Sequence, residues 1–504
     1  MRQVVIVGGG YTGVCLAVQL VRQSSVPLSI TLVEPREHLG QGQAYSTQDP
    51  DHRLNAPTYV HSAVPQDAWH FTRWCVAQGL MGPDSPDPAA LRPDGAHYMR
   101  RAEFGRYLQE TLQAHAQGAA NGCHITHHRG EAVAAQRSGS GWQVQTRAVS
   151  GVDAVLTADM LLLATGNPRM RLPPVFAPTL ASHPEVVSNA LDHARLRAVN
   201  PQARVLLLGS GLTALDALAT LLRQGHQGPI VVISRRGLRP RPQGPVLPVV
   251  AQLHIPEVLT SLPGRILLDR LANPVPEFLK QAGQPPTVRA LLRALRVRVA
   301  QVQAEGLSWT TAFDELRDCL WQLWPQLPTA EKQRFLKRLR IWYDVHRFRS
   351  VPHTDDLVQQ AQARGQLAFW SARVQAVQPA PVGQGLQVDL SRQGAAVPAQ
   401  PEVFDAVINC TGLDTAAGIA DNPLLVGLLA QGLLRPDACA LGLDVDSQCC
   451  AIDRTGQAQP DLRVLGPATL GTFGDPIGAL YIGGHVHRVM PDVLRVLISR
   501  PASA

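Results

Sequence analysis

Two apolar runs in this chain end in closely similar glycine turns, VVIVGGGYTG at residues 4–13 and VLLLGSGLTA at 205–214. A buried parallel strand that feeds a tight glycine turn and then a helix opens a dinucleotide-binding βαβ unit. In the first turn Gly8 permits the bend, Gly10 lets backbone approach a pyrophosphate, and Gly13 lets helix and strand pack closely. Gly9, Tyr11 and Thr12 complete the segment, and the helix N-terminus behind it favours an anion. In the second turn Gly209, Gly211 and Ala214 take the same places, interleaved with Ser210, Leu212 and Thr213.

The flanks of the two turns differ. Glu34 lies 21 residues after Gly13 and closes the strand LSITLV at 28–33, followed by Pro35 and Arg36. A carboxylate there accepts a hydrogen bond from a ribose hydroxyl and repels a 2′-phosphate, so the first site takes FAD or NAD and not NADP. The matching stretch after the second turn holds Ser234, Arg235 and Arg236 and no acid. A hydroxyl and two guanidiniums suit a phosphorylated ribose, which predicts NADPH at the second turn.

The rest of the pattern predicts an α/β fold with two Rossmann-like dinucleotide-binding domains, the NADPH domain inserted in the FAD domain. Residues 1–200 read as the first part of the FAD domain. Residues 201–365 read as the NADPH domain, with a largely helical insertion over about 252–365, and 366–504 as the second part of the FAD domain. Within the insertion Trp309, Phe313, Leu316, Leu320, Leu323 and Leu327 step by threes and fours, which predicts one apolar, core-facing helix stripe. The basic stretch with Lys332, Arg334, Lys337, Arg338 and Arg340 reads as a solvated face.

Composition narrows the function classes. The net charge is +7 over 504 residues, and only Lys280, Lys332 and Lys337 are lysines, so arginine carries the excess. No nucleic-acid module accompanies that charge. The eight cysteines form no CxxC pair, which argues against a dithiol redox centre or a zinc ribbon, and no metal site is expected. Cys449 and Cys450 are adjacent, which leaves a vicinal disulfide open, while two free thiols suit a reducing compartment better. The N-terminal apolar run is broken by glycines and reads as strand and turn, not as a signal peptide. With no stretch long enough for a membrane helix, the expectation is a soluble, cytoplasmic protein. The oligomeric state is not legible.

Ala164-Thr165-Gly166 and Cys410-Thr411-Gly412 resemble the turns where glutathione-reductase-like flavoproteins pass between their two dinucleotide domains. GQGQAYS at 40–46, RLNAP at 53–57, RAEFGRYL at 101–108 and WYDVHRFR at 342–349 resemble a bacterial FAD/NAD(P)-binding family that includes an FAD-dependent urate hydroxylase. The tail, with Gly474-Asp475-Pro476, departs from many members in detail. The resemblance implies that Gly42, Ala44, Tyr45, Asn55 and Arg101 line the FAD groove, with Arg101 against the pyrophosphate and Asn55 near the flavin ring as the one catalytic candidate. It places Ala132 and Val133 among the cofactor contacts. It also implies that Asp475 accepts from a ribityl hydroxyl and that a helix starting near Gly478 aims its positive end at the flavin. For His346 and Arg349 it leaves a phosphate-facing or interdomain role.

The activity implied is that of an FAD-dependent, NADPH-consuming monooxygenase. It would use O2 and a flavin hydroperoxide to hydroxylate a small, nitrogen-containing substrate. Two alternatives stay open on the residues alone. One is an NADPH-dependent reductase passing electrons to a quinone or a protein acceptor; the other is a non-catalytic flavin- or nucleotide-binding protein.

Overall fold

The computed structural model describes residues 1–499 except 167–169, 245–273, 284, 382–384, 394–399 and 413–414. The start of the expected helical insertion, 252–273, therefore lies outside the described residues, as do the three residues that follow Gly166. The strands in chain order are β1 (Arg2–Val7), β2 (Leu28–Val33), β3 (His124–His128), β4 (Gly130–Ser138), β5 (Gly141–Ala148), β6 (Asp153–Ala158), β7 (Met160–Leu163) and β8 (Val186–Val187). They continue with β9 (Val205–Leu208), β10 (Ile230–Ser234), β11 (Leu367–Pro379), β12 (Leu386–Arg392), β13 (Glu402–Phe404), β14 (Ala406–Asn409), β15 (Cys450–Ile452) and β16 (Ala458–Val464).

The first sheet runs β15-β16-β7-β1-β2-β3, parallel except at β15, and the second runs β13-β12-β11-β10-β9-β14-β8, parallel from β11 to β8. Each sheet therefore reverses strand order at one place, between β1 and β7 in the first and between β9 and β14 in the second. Such switch points are where open α/β sheets bind ligands. The strands beside them, VVIV and VLLL, are buried on both faces, as continuous apolar runs in a parallel sheet require.

Sheet membership corrects the expected boundaries. The strands over 367–409 were expected to return to the first domain, but all four lie in the second sheet. Even β8, inside the expected first part, belongs there. The physical reason is that β9 and β10 need a third parallel neighbour (β11) and a partner across the switch point (β14). Alternating apolar patterning does not say which sheet a strand joins. The first sheet resumes only at β15.

Helix α1 (Tyr11–Gln23) is buried from Tyr11 to Val21, because the C-terminal helix Ala479–Ser499 covers the side that the sheet does not. The remaining labelled helices are α2 (His70–Ala77), α3 (Arg101–Gln117), α4 (His193–Arg197) and α5 (Leu212–Arg223). The insertion, between β10 and β11, contributes helices Val288–Ala304, Trp309–Leu323, Thr329–Arg338, Arg340–Arg347 and Pro352–Ala363. Its apolar stripe holds: Phe313, Leu320, Leu323 and Leu327 are buried, while Trp309 and Leu316 are half-buried. Trp324 fixes the insertion to the tail, donating its indole N–H to the Gly471 carbonyl at 2.8 Å. No described helix is long and apolar enough to cross a membrane.

Two buried histidines give the fold an acid-sensitive limb. Burial pushes His61 down to about 4, against an opposing bond to the Pro57 carbonyl, and pushes His485 down to about 3. Unfolded, each takes up a proton near pH ~6.5. Below that pH the unfolded chain thus binds more protons, so stability is complete above it and falls as pH drops towards 4. Each group contributes a slope of up to about 1.4 kcal/mol per pH unit. In urea unfolding at a series of pH values, His485→Leu is expected to shallow this limb by one proton; an unchanged slope would contradict the assignment.

Candidate functional site

At the first switch point Gly8 adopts φ +108° and donates to the Val33 carbonyl at 2.9 Å. A Cβ added to it would sit 2.2 Å from the Ala164 carbonyl oxygen. The small turn after β7 is thus explained by its crossing over the glycine turn, with Ala164 donating to the Val7 carbonyl at 2.8 Å. A Cβ on Gly13 would lie 1.9 Å from the Gly8 carbonyl oxygen, which enforces the close packing of helix and strand. Gly10 faces Gly42 with 3.6 Å to its Cα and no nearer atom, so its outer face is open to a ligand backbone.

The second switch point repeats this geometry. Gly209 has φ +98° and donates to the Ile233 carbonyl at 2.8 Å. Its added Cβ would meet the Cys410 carbonyl oxygen at 2.6 Å. Gly211 has nothing within 4 Å of its added Cβ, and Ala214 is buried in the place of Gly13. Both turns therefore present an open second glycine at the N-terminus of a helix, a cradle that fits a dinucleotide pyrophosphate.

Glu34 is buried at the end of β2. One carboxylate oxygen accepts from the Gly9 N–H at 3.0 Å, and the other from the Arg36 N–H and guanidinium, both at 3.1 Å. Two oxygens offer about four acceptor positions, so one remains for a ribose hydroxyl. Pro35 and Arg36 are exposed beside it. The Tyr11 hydroxyl donates at the heart of the site, where two carbonyls share it, Ser62 at 2.6 Å and Ala479 at 2.8 Å. Burial pushes its phenol well above its ordinary value, so it remains protonated.

The loop positions carried by the resemblance divide. Gly42 lies against Gly10, Tyr45 packs edge-on to Phe104 at 4.8 Å, and Ala44 is exposed. Asn55 is half-buried, and among the described residues its amide has no hydrogen-bond partner. Its loop is strapped down by Leu54 and Thr58, which donate to the Met99 and His97 carbonyls. Ala132 and Val133 lie where the β4–β5 register shifts. Thr165, Gly166 and Gly412 sit at the two crossing turns, with Gly166 and Gly412 exposed.

Four of the expected residues have partners that the sequence does not announce. Arg101 reaches across to the second unit. Its guanidinium reaches Asp216 on α5 at 2.7 Å and donates to the Arg53 carbonyl at 3.0 Å, tying the two nucleotide units together. Asp475 is buried in an ion pair with Arg347, at 2.6 and 3.0 Å, and accepts from Tyr343 at 3.0 Å. Its carboxylate anchors the insertion beneath the C-terminal helix, while Gly478 precedes that helix at φ +96° as expected. His346 and Arg349 face inward: His346 stacks on Phe313, and Arg349 is buried against Asp314 and Trp309.

Other contributors went unread in the sequence. Asp49 is fully buried and receives Thr220 at 2.7 Å and Arg223 at 3.0 Å, both from α5. Arg223 also meets Asp51 at 2.5 Å, and His52 lies 3.0 Å from the Thr220 hydroxyl. Burial opposes the Asp49 charge, but these donors hold its carboxyl below the usual range. This polar seam fixes α5, the helix behind the second turn, onto the first unit. No local signal in a loop such as TQDPDHR announces a partner about 170 residues away.

The end of β10 opens onto a cavity of about 580 Å³. Arg235, Arg236, Lys337, Arg338, Arg340 and Arg373 line it with one carboxylate, Asp344. Lys337, Arg338 and Arg340, from the basic stretch read as a solvated face, thus form one wall of this cavity, with Lys337 and Arg338 exposed. Ser234 and Ser210 both donate to the Leu238 carbonyl, which pins the loop carrying the two arginines over the second turn.

With this geometry in place, comparison with known proteins adds the family context. A family model described as FAD-NAD(P)-binding matches residues 5–168. The N-terminal third carries an FAD/NAD(P)-binding domain. A second model, for L-lysine 6-monooxygenase/L-ornithine 5-monooxygenase, matches residues 93–246, which include the second glycine turn and Arg235-Arg236. An uncharacterized protein of Mycobacterium tuberculosis strain H37Rv is 22% identical over 401 residues, covering 75% of this chain and 68% of that protein.

The reduced form of an ornithine hydroxylase from Pseudomonas aeruginosa shares the fold at TM-score 0.63 and 16% identity, covering 99% of this chain and all of that one. An ornithine N-hydroxylase from Kutzneria sp. 744, solved with reduced FAD, NADP+ and L-ornithine, aligns at TM-score 0.61 and 16% identity over 98% and 99% of the two chains. L-lysine 6-monooxygenase from Pseudomonas syringae aligns at TM-score 0.60 and 16% identity over 99% of both. The FAD/NAD(P)-binding domain of this chain thus lies within a fold shared with these ornithine and lysine monooxygenases.

Proposed function

We propose that the chain is an FAD-dependent, NADPH-consuming monooxygenase that hydroxylates an amine nitrogen of a small, basic substrate. The observation that carries this reading is the contrast between the two switch points. One ends in a buried carboxylate with an acceptor position left over; the other ends in a basic cavity. FAD resides at the first and NADPH visits the second, with O2 as co-substrate. The match to a lysine/ornithine monooxygenase family model across the second turn supports the amine class. When bound, FAD supplies the redox and oxygen-activating chemistry. The residues of the chain bind, orient and shield: Gly10 and Gly211 admit the pyrophosphates, Glu34 holds the ribose, and Asn55 offers a free amide in the loop strapped over the groove. The Arg101–Asp216 pair and the Asp49 seam keep the two nucleotides in register.

The test is stoichiometry. FAD-loaded protein is supplied with NADPH and O2, and ornithine, lysine, cadaverine and purines are compared. One amine is expected to speed NADPH oxidation and to yield hydroxylated product nearly one for one, with little hydrogen peroxide. Equal NADPH oxidation with every compound, accompanied only by peroxide or by reduction of an added quinone, would favour electron transfer without oxygenation.

A further inference from the structure

The cavity beside β10 holds more charge than the two arginines at the end of that strand. Lys337 and Arg338 come from helix Thr329–Arg338, Arg340 from the next helix, and Arg373 from β11. Among the described residues only Arg340 has an acidic neighbour there, Asp344 at 3.6 Å. Among the described residues, Arg235, Lys337, Arg338 and Arg373 form no ion pair. Six like charges around one space repel one another, and an exposed face that served only solubility would mix signs. A dianion in the cavity removes that repulsion, whereas an unmodified ribose gains nothing from it. The backbone beneath is held firmly: the Ser371 hydroxyl donates to the Arg235 carbonyl at 3.2 Å and to Gln393 at 2.9 Å.

We propose that Lys337, Arg338 and Arg373 determine nucleotide specificity by closing around the 2′-phosphate begun on Arg235 and Arg236. The helical insertion is then part of the second nucleotide site and not only a lid or a packing element. This inference rests on the NADPH reading above.

The holoprotein itself provides a reporter. Trp342 is partly exposed, and the Arg236 guanidinium lies 5.9 Å from its ring. Binding of 2′,5′-ADP and of 5′-AMP is measured by tryptophan fluorescence and calorimetry in wild type, Arg373→Ala, Lys337→Ala/Arg338→Ala and Arg235→Ala. The removed side chains are all exposed, so the fold is retained. In each variant 2′,5′-ADP is expected to bind roughly tenfold more weakly, while 5′-AMP stays within about twofold. The dependence of affinity on salt is also expected to shallow.

If Arg235→Ala weakens 2′,5′-ADP but the other two variants bind it like wild type, the NADPH reading stands and this inference falls. If wild type does not distinguish 2′,5′-ADP from 5′-AMP, the NADPH reading itself fails. Inorganic pyrophosphate competing as strongly as 2′,5′-ADP would mark a general anion site and overturn the proposal.

Discussion

Gly13→Val is expected to purify colourless and to melt well below the parent. The added Cβ would already lie 1.9 Å from the Gly8 carbonyl oxygen, so α1 must move away from β1. That helix has nowhere to go, because it is buried along Tyr11–Val21 between the sheet and the C-terminal helix. Overpacking of this kind typically costs about 1–3 kcal/mol and more where backbone is the obstacle. The same displacement withdraws the helix N-terminus from the pyrophosphate. Loss of FAD affinity is expected to exceed roughly a hundredfold, since pyrophosphate approach and helix packing fail together. Absorbance of flavin released from the purified chain and a thermal melt check this. The contrasting variant is Ala214→Gly, where the second turn already accommodates a methyl group. It is expected to cost about 1 kcal/mol in helix propensity and to keep its FAD.

Asp475→Ala is expected to lower stability by about 3–5 kcal/mol, because it leaves the Arg347 guanidinium buried without its partner. The Tyr343 hydroxyl loses its acceptor in the same step. Replacing both members of the pair, Arg347→Met with Asp475→Leu, is expected to recover part of that loss, since no guanidinium is stranded at position 347, while Arg317, 3.6 Å from Asp475, keeps among the described residues only Asp314 at 3.5 Å. Denaturant unfolding of the two variants measures the difference. A carboxylate that served chiefly to hold a ribityl chain would give another outcome: Asp475→Ala would lose FAD with stability intact, and the double variant would not recover it.

The nucleotide turns were legible because their requirements are local. Gly8, Gly13 and Gly209 meet backbone atoms at distances no side chain tolerates; Gly8 and Gly209 directly follow their strands, and Gly13 lies in the first turn of the helix after β1. Glu34 and the Arg235-Arg236 pair follow at the fixed spacing of a βαβ unit. What was not legible depends on residues far apart in the chain. The assignment of β11–β14 to the second sheet needs their partners β9 and β10, which the alternation of apolar residues does not name. Arg101 and Asp475 were placed by resemblance at the cofactor. Their neighbours Asp216 and Arg347 lie 115 and 128 residues away, so these ion pairs have no local signal in the sequence. The basic stretch at 332–340 was unreadable as a wall for the same reason, since Arg373 and Arg235 join it only through folding.

The claim that the two turns serve two different nucleotides is tested most directly by reversing charge at one of them. The measurement is the ratio of kcat/KM for NADPH to that for NADH in Arg235→Glu/Arg236→Glu, with FAD content determined on the same sample. Each charge-assisted contact to a phosphate is worth about 1.5–3 kcal/mol, so the ratio is expected to fall on the order of a hundredfold or more. FAD is expected to remain at one per chain, because Glu34 and the first turn are untouched. An NADPH preference that survives the reversal, or a loss of FAD in its place, would contradict the assignment.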